Sequence, residues 1–245
     1  MPQWAVLILI PVETHMLELM DRFVAYYRRF GLFATVRRGA EWIRESVSNR
    51  DAVLFYCDLQ AGLAIHGGPS GGFSVERKEC PSDISTGDME RMLDHWNRDL
   101  KVRQIRDRFQ RDATAWFVKK DGQLAGYGWT LTGATMEPHF FPVAENDVHL
   151  FDFIVFPEFR GQGANPVLVN RILAVVASEG RTRAFIESAL RNEAQLRSLN
   201  KTPFRKLGIA KKTSCFKWVF VAWDKAGADS DKVCGASQAP VTIVV

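Results

Sequence analysis

The sequence predicts an α/β (α+β) fold: a central mixed, mostly antiparallel sheet flanked by helices, preceded by a helical N-terminal extension. Three observations carry this expectation. Short runs rich in β-branched and aromatic residues alternate with amphipathic stretches between Phe73 and Trp223. Asp121-Gly122, set between two such runs, is a strong short hairpin signal. From Asp147 to Gly180 the chain reads as a buried strand, a glycine-rich turn and a helix. With 245 residues, 47% hydrophobic and 24% charged, there is ample material for a core.

Taken in order, the apolar run Trp4–Val12 is much too short to span a bilayer, and no basic residue precedes it as a signal peptide requires. Neither a transmembrane segment nor a secretory leader is expected. Leu17–Val47 suggests two short helices broken at Gly31, with Leu19, Phe23, Tyr26, Tyr27 and Phe30 roughly on one face. Arg28, Arg29, Arg37, Arg38 and Arg44 make the pair basic. It reads as a helical hairpin packed on the main domain, with peripheral contact to an anionic membrane surface or a partner as the sharper alternative. Ala52–Leu59 is a predicted strand. The glycines and Pro69 between Gly67 and Gly72 form the clearest linker signal in the chain. The expected organisation is therefore an extension over residues 1–70 with one strand, a main domain over 73–223, and a flexible tail over 224–245.

After the linker, Phe73–Glu79 alternates as a strand does. Thr86–Trp96, with Ser85 or Thr86 as cap, and Leu100–Gln110 are predicted helices, the second strongly basic through Arg98, Lys101, Arg103, Arg106, Arg108 and Arg111, a charged face expected to be solvated and without a catalytic role. Ala113–Lys119 and Gln123–Thr132 are the hairpin strands. Met136–Asn146 is a polar and aromatic loop holding His139, Phe140, Phe141, Glu145 and Asn146, which are either acceptor-lining or ordinary rim residues. Val148–Phe156 is the buried strand, stopped by Pro157, and a helix starts at Pro166 and ends at Gly180. Thr182–Ser188 is a further strand, Asn192–Lys206 a helix terminated by Gly208, and Lys212–Trp223 a last strand. The Ala, Gly, Ser and Asp-rich tail is expected to be poorly ordered before the apolar VTIVV end.

Between the central strand and its helix lies Arg160-Gly161-Gln162-Gly163-Ala164-Asn165. Glycines here let successive N–H groups point into one concavity, and the helix start adds unpaired N–H groups and a positive dipole end, so the place suits a phosphate or pyrophosphate. A P-loop would close with Lys-Ser/Thr, where Ala164-Asn165 stands. A dinucleotide fingerprint would have a third glycine or alanine where Pro166 stands. Val155-x-Pro157-Glu158-x-Arg160-Gly161-x-Gly163 instead resembles the acyl-CoA-binding motif of the GNAT acyltransferase superfamily, Gln/Arg-x-x-Gly-x-Gly/Ala after a strand ending Val-x-Pro. Arg160 and Gly163 match, whereas Asn165 takes a place usually held by Gly or Ala. Phe204-x-x-x-Gly208-Ile209 resembles the end of the family's second motif, usually Tyr-x-x-x-Gly-Phe. The resemblance covers Phe73 to Trp223, and the element order above is that of the GNAT fold.

The resemblance implies acetyl-CoA as co-substrate, held by Arg160, Gly161, Gln162, Gly163, Ala164 and Asn165, with the backbone of Phe153, Ile154 and Val155 pairing with pantetheine like an added strand. It implies N-acyl transfer by direct attack of a small-molecule amine, an amino sugar for instance, on the thioester. The candidate bases, Asp152, His149, Glu145 and Glu187, lie in or near the strands expected to part as a cleft. Strict alternation puts His149, Phe151, Phe153 and Val155 on one face and Leu150, Asp152, Ile154 and Phe156 on the other. Asp152, charged within an apolar strand, must be paired, solvated or functional, and with Glu187 it is the predicted catalytic pair. Phe204 stands where the family often has a tyrosine acid, and a phenyl ring cannot protonate a thiolate. That departure motivates the alternative of a non-catalytic acyl-CoA-binding regulatory domain. A net charge of +4 is too modest to argue for nucleic acid. Cys57, Cys80, Cys215 and Cys234 are far apart, with no C-x-x-C pair and no clustered histidines, so reduced cytoplasmic thiols and no metal are expected.

Overall fold

A computed structural model describes residues 28, 31, 50–61, 71–94, 98–137, 139–215, 218–226 and 241–244. In chain order the elements are β1 (Arg50–Asp58), β2 (Phe73–Lys78), α1 (Thr86–Asp94), α2 (Arg98–Gln110), β3 (Thr114–Lys120), β4 (Gln123–Thr132) and β5 (Asp147–Val155). They continue with α3 (Ala164–Ser178), β6 (Arg183–Ala189), α4 (Glu193–Leu199), β7 (Arg205–Cys215), β8 (Trp218–Ala226) and β9 (Val241–Val244). The strands form one sheet in the order β2-β3-β4-β5-β6-β1-β7-β8-β9. The β5–β6 pair is parallel and the other pairs are antiparallel. This is the mixed, mostly antiparallel sheet that the strand pattern predicts. Of the expected helical hairpin at 17–47, all but residues 28 and 31 lie outside the described residues.

Local chemistry sets several boundaries. Ser85 caps α1: its hydroxyl accepts from the Asp88 N–H at 3.1 Å and donates to the Asp88 carboxylate at 2.8 Å. Asp121 (φ 51°) and Gly122 (φ 79°) turn β3 into β4 with both central residues left-handed, the conformation a two-residue hairpin needs. At the end of α3 the N–H of Gly180 (φ 78°) donates to the Ala177 carbonyl and that of Arg181 to Val176, a paired left-handed cap that glycine makes without strain. Leu168, Val169, Ile172, Leu173 and Val176 of α3 are buried against the sheet. Each contributes about 2 kcal/mol of apolar burial. Met92 and Leu93 of α1 and Ile105 of α2 belong to the same main core, whereas Leu54, Tyr56, Phe140, Phe141, Phe185 and Leu207 form a second cluster.

β1, the strand expected within the extension, lies between β6 and β7 in the sheet. Three expectations are corrected. The helix expected over 192–206 ends at Leu199, where the Thr202 hydroxyl donates to the Leu199 carbonyl at 2.6 Å and Pro203 blocks another turn. Gly208 consequently terminates no helix and lies within β7, beside Leu54 of β1. The single strand expected over 212–223 is the meeting of β7 and β8, and part of the apolar C-terminal run pairs with β8 as β9.

Candidate active site

β5 and β6 pair only from Asp147–Arg183 to Leu150–Ile186. Beyond Leu150 the ladder stops although both strands continue, so their backbones part and leave a wedge-shaped opening. The closed end is pinned by fully buried Asp147, which accepts from Arg183 Nε at 2.8 Å and Nη2 at 2.7 Å and from the Ala144 N–H at 2.8 Å. A two-pronged guanidinium contact plus a backbone donor satisfies a carboxylate that burial would otherwise penalise heavily.

On its other edge β5 bulges. Trp129 of β4 faces Phe151 and Tyr127 faces Ile154, so three steps along β5 match two along β4. The extra residue is Asp152, at φ 49°, in the left-handed region where Asp is among the better-tolerated residues. The alternation predicted for this strand fails here for that reason. Arg108 lies 5.5 Å from the Phe151 ring centre and donates to Asp152 at 2.5 Å, so two consecutive side chains face the same helix. Phe153 lies over Gly128, where an added Cβ would come within 2.5 Å of its ring. Gly126 is equally confined, its Cβ position lying 2.5 Å from the Ile154 carbonyl oxygen.

Asp152 is therefore paired. Arg108 donates to it at 2.5 Å and Lys101 at 3.3 Å, and both cations are largely buried on α2. Burial alone would raise its carboxyl, but the charges and hydrogen bonds of Arg108 and Lys101 outweigh it and hold the group below the ordinary carboxylate range. Burial depresses the Lys101 ammonium despite Asp152. The basic face of α2 is thus partly turned inward.

The glycine loop follows β5 through a short turn over Pro157–Phe159. Gly161 (φ 77°) and Gly163 (φ 86°) are left-handed, and a Cβ on either would meet nothing within 4 Å. Their constraint is backbone conformation next to open space, not packing. Arg160 Nε donates to the Val155 carbonyl at 3.2 Å, Lys120 Nζ to Gln162 Oε1 at 2.6 Å, and Gln162 Nε2 to the Glu158 carbonyl at 2.8 Å. α3 begins at Ala164, two residues before the predicted start, with Gly163 as cap residue. Its first-turn N–H groups have no intrahelical acceptor and face the loop side. Pro166, in that first turn, forfeits no helical bond. Asn165, which departs from the motif, donates to Ser198 Oγ at 2.8 Å and ties the helix start to α4.

At the mouth of the wedge, Glu187 of β6 and His149 of β5 meet, Nε2 to Oε2 at 2.8 Å, with the Glu187 side chain one-third exposed and His149 buried. Burial would raise the Glu187 carboxyl, but the charge and hydrogen bond of His149, with His139 and Lys212 beyond, take it down to about 2. His139, from the loop before β5, lies with its ring centre 5.0 Å from that of His149. Burial pushes its imidazole down to about 3 against the opposing pull of Glu187. A ring nitrogen on each histidine, Nε2 of His139 and Nδ1 of His149, is buried with no hydrogen-bond partner among the described residues. Of the other candidates, Glu145 is exposed on its loop. Phe204 is buried in the main core just before β7. No local spacing signals the grouping of His139 with His149 and Glu187, because they come from a loop and two strands.

Residues 78–201, about half of the chain, match the family model described as Acetyltransferase (GNAT) family. No curated protein matches the chain by sequence. Among solved structures, the chain is similar to a GNAT-family protein from Novosphingobium aromaticivorans DSM 12444, at 18% identity and TM-score 0.44 over 65% of this chain and 61% of that one. It is also similar to an acetyltransferase from the GNAT family from Colwellia psychrerythraea, at 12% identity and TM-score 0.47 over 71% of this chain and 59% of that one. The aligned part spans about three-fifths of the length of these two proteins.

Proposed function

The chain belongs to the GNAT acetyltransferase family, and from that premise we propose that it transfers the acetyl group of acetyl-CoA to the amine of a small molecule, with amino sugars among the acceptors to be tried first. The observation that carries the reading is the place where β5 and β6 part, because the bulge at Asp152 and the glycine loop at the end of β5 adjoin the same opening. A thioester running from that loop along β5 presents its carbonyl beside the bulge. Arg160, Gly161, Gln162, Gly163, Ala164 and Asn165 receive the pyrophosphate with N–H groups and a helix dipole. The freed backbone of Phe153, Ile154 and Val155 receives the pantetheine amides.

On the acceptor side, Glu187 stays ionised across the neutral range and draws an ammonium to the wedge. The ammonium held by Glu187 first gives one proton to solvent water, its freed lone pair attacks the thioester carbon, the C–N bond forms, the C–S bond breaks, and the second amine proton passes to water while Glu187 stays ionised and orients the amine. The leaving thiolate takes its proton from water, since Phe204 has none to give. Asp152 acts by holding Lys101 and Arg108 and fixing the bulge, a positioning role. The reaction belongs in the cytoplasm, where CoA thioesters and reduced thiols coexist. No described helix is long and apolar enough to cross a membrane. Peripheral membrane contact through the arginine-rich stretch at 28–44 is a separate proposal on residues mostly outside those described.

Calorimetry of acetyl-CoA with the wild type and with a folded Gly163→Trp variant, followed by CoA release over an amine panel, tests the reading. Binding lost in the variant and turnover in the wild type are expected. Binding without turnover on any amine is the behaviour of a regulatory acyl-CoA domain, and absence of wild-type binding would remove the donor site altogether.

A further inference from the structure

Three side chains converge at the wedge with chemistry that proton transfer alone does not use. His139, His149 and Glu187 each offer one ligand atom, and these atoms lie within 4.8 Å of one another. Both histidines are more than nine-tenths buried, at 7% and 4% exposure. Each carries a buried ring nitrogen without a hydrogen-bond partner among the described residues. An imidazole nitrogen left unpaired in the interior costs about 1–3 kcal/mol in lost hydration, so the orphaned Nε2 of His139, whose ring lies 5.0 Å from that of His149, marks a place short of a ligand.

We propose that His139, His149 and Glu187 form a site for a single divalent transition-metal ion of the zinc class. Two imidazoles and one carboxylate are a ligand set that zinc accepts, with a fourth position left for water or an incoming group. Zinc bonds of about 2.0–2.1 Å put tetrahedral ligand atoms about 3.3 Å apart, so atoms now within 4.8 Å of one another close by at most about 1.5 Å. The frame is rigid where it matters. His149 and Glu187 stand on paired strands just at the end of the parallel ladder, and the His149 ring stacks on Phe151 at 5.4 Å. His139 is held edge-on by Phe140 and Phe141, with ring centres 5.6 and 4.6 Å away. The opposing charge is Lys212, whose ammonium lies over the Phe140 ring at 5.3 Å and 4.0 Å from Glu137, an acid that draws it outward. Because the ion takes the Glu187 carboxylate, metal binding competes with an ammonium at the acceptor side and inhibits transfer.

The test reads binding, so it stands or falls independently of acetyl transfer. The full chain, freed of metal with a chelator, is titrated with zinc by calorimetry and with cobalt(II) by visible absorption, as wild type, His139→Phe and Glu187→Gln. His139→Phe keeps an aromatic ring among Phe140, Phe141 and Phe185, and Glu187→Gln keeps shape. Each is checked for fold by circular dichroism, and if His139→Phe does not fold, Glu187→Gln decides. One equivalent bound by the wild type, nitrogen- and oxygen-type cobalt bands, and at least about tenfold weaker binding in the folded variants are expected. No wild-type binding, equal affinity in wild type and variants, or a sulfur-to-cobalt band showing capture by a cysteine such as Cys80 would overturn the proposal.

Discussion

At Asp152 one carboxylate meets two cations, Lys101 and Arg108, beneath α2. Its folded pKa lies below the unfolded value, so its stabilisation is present above about pH 4 and is lost as pH falls through the folded pKa. Asp152→Asn leaves Lys101 and Arg108 without their counter-charge and is expected to destabilise the protein by about 3 kcal/mol near neutrality. The deficit should shrink at about pH 3, below the ordinary carboxylate value, because the unfolded chain there binds a proton that the folded protein resists. Urea unfolding of both proteins at the two pH values checks this, and an equal deficit at both would show that the pair does not titrate as described. The residue scale also separates two kinds of candidate. Asp152 was visible in sequence as an anomaly, a charge in an apolar run, but its partners sit 51 and 44 residues earlier. Phe204 carried its whole message in its identity, since no packing lends a phenyl ring a proton.

Among the elements, β5 is the one on which the site depends. Its bulge is accommodated by Gly128, which leaves the space that the Phe153 ring fills. A methyl group there cannot coexist with Phe153 in its present place, because all three nearest ring atoms would lie 2.5–2.7 Å from it. Gly128→Ala is therefore expected to push Phe153 and its backbone away from β4 and weaken acetyl-CoA binding about tenfold while the protein still unfolds cooperatively. Calorimetry beside a thermal melt reads both effects, and unchanged affinity would detach the β5 backbone from the donor site. The glycines of the loop contrast with this one. Gly161 and Gly163 face open space, so their substitution acts through backbone strain and through whatever ligand occupies that space.

On the scale of the whole molecule, β1 joins the N-terminal part of the chain to the sheet, as the common neighbour of β6 and β7. Val53, Phe55 and Cys57 supply the main core, while Leu54 and Tyr56 supply the second cluster. Deleting residues 1–70 removes this strand and exposes two interior edges, so the truncated chain is expected to be insoluble or to unfold without a cooperative transition. A soluble truncation with the wild-type melting profile would contradict the central position of β1. Hairpin turns, helix caps, the central strand and the glycine loop were legible in sequence because each is set by residues a few positions apart: Asp121 with Gly122, Ser85 with Asp88, Gly180 with the last turn of α3. The placing of β1, the bulge at Asp152, the inward turn of Lys101 and Arg108, and the meeting of His139, His149 and Glu187 had no such local signature. Contacts of this kind arise only when distant strands pair, and a bulge reverses the side-chain alternation that sequence reading relies on. Local backbone and side-chain chemistry thus determined the elements and the glycine loop, and strand order and register decided which side chains meet where β5 and β6 part.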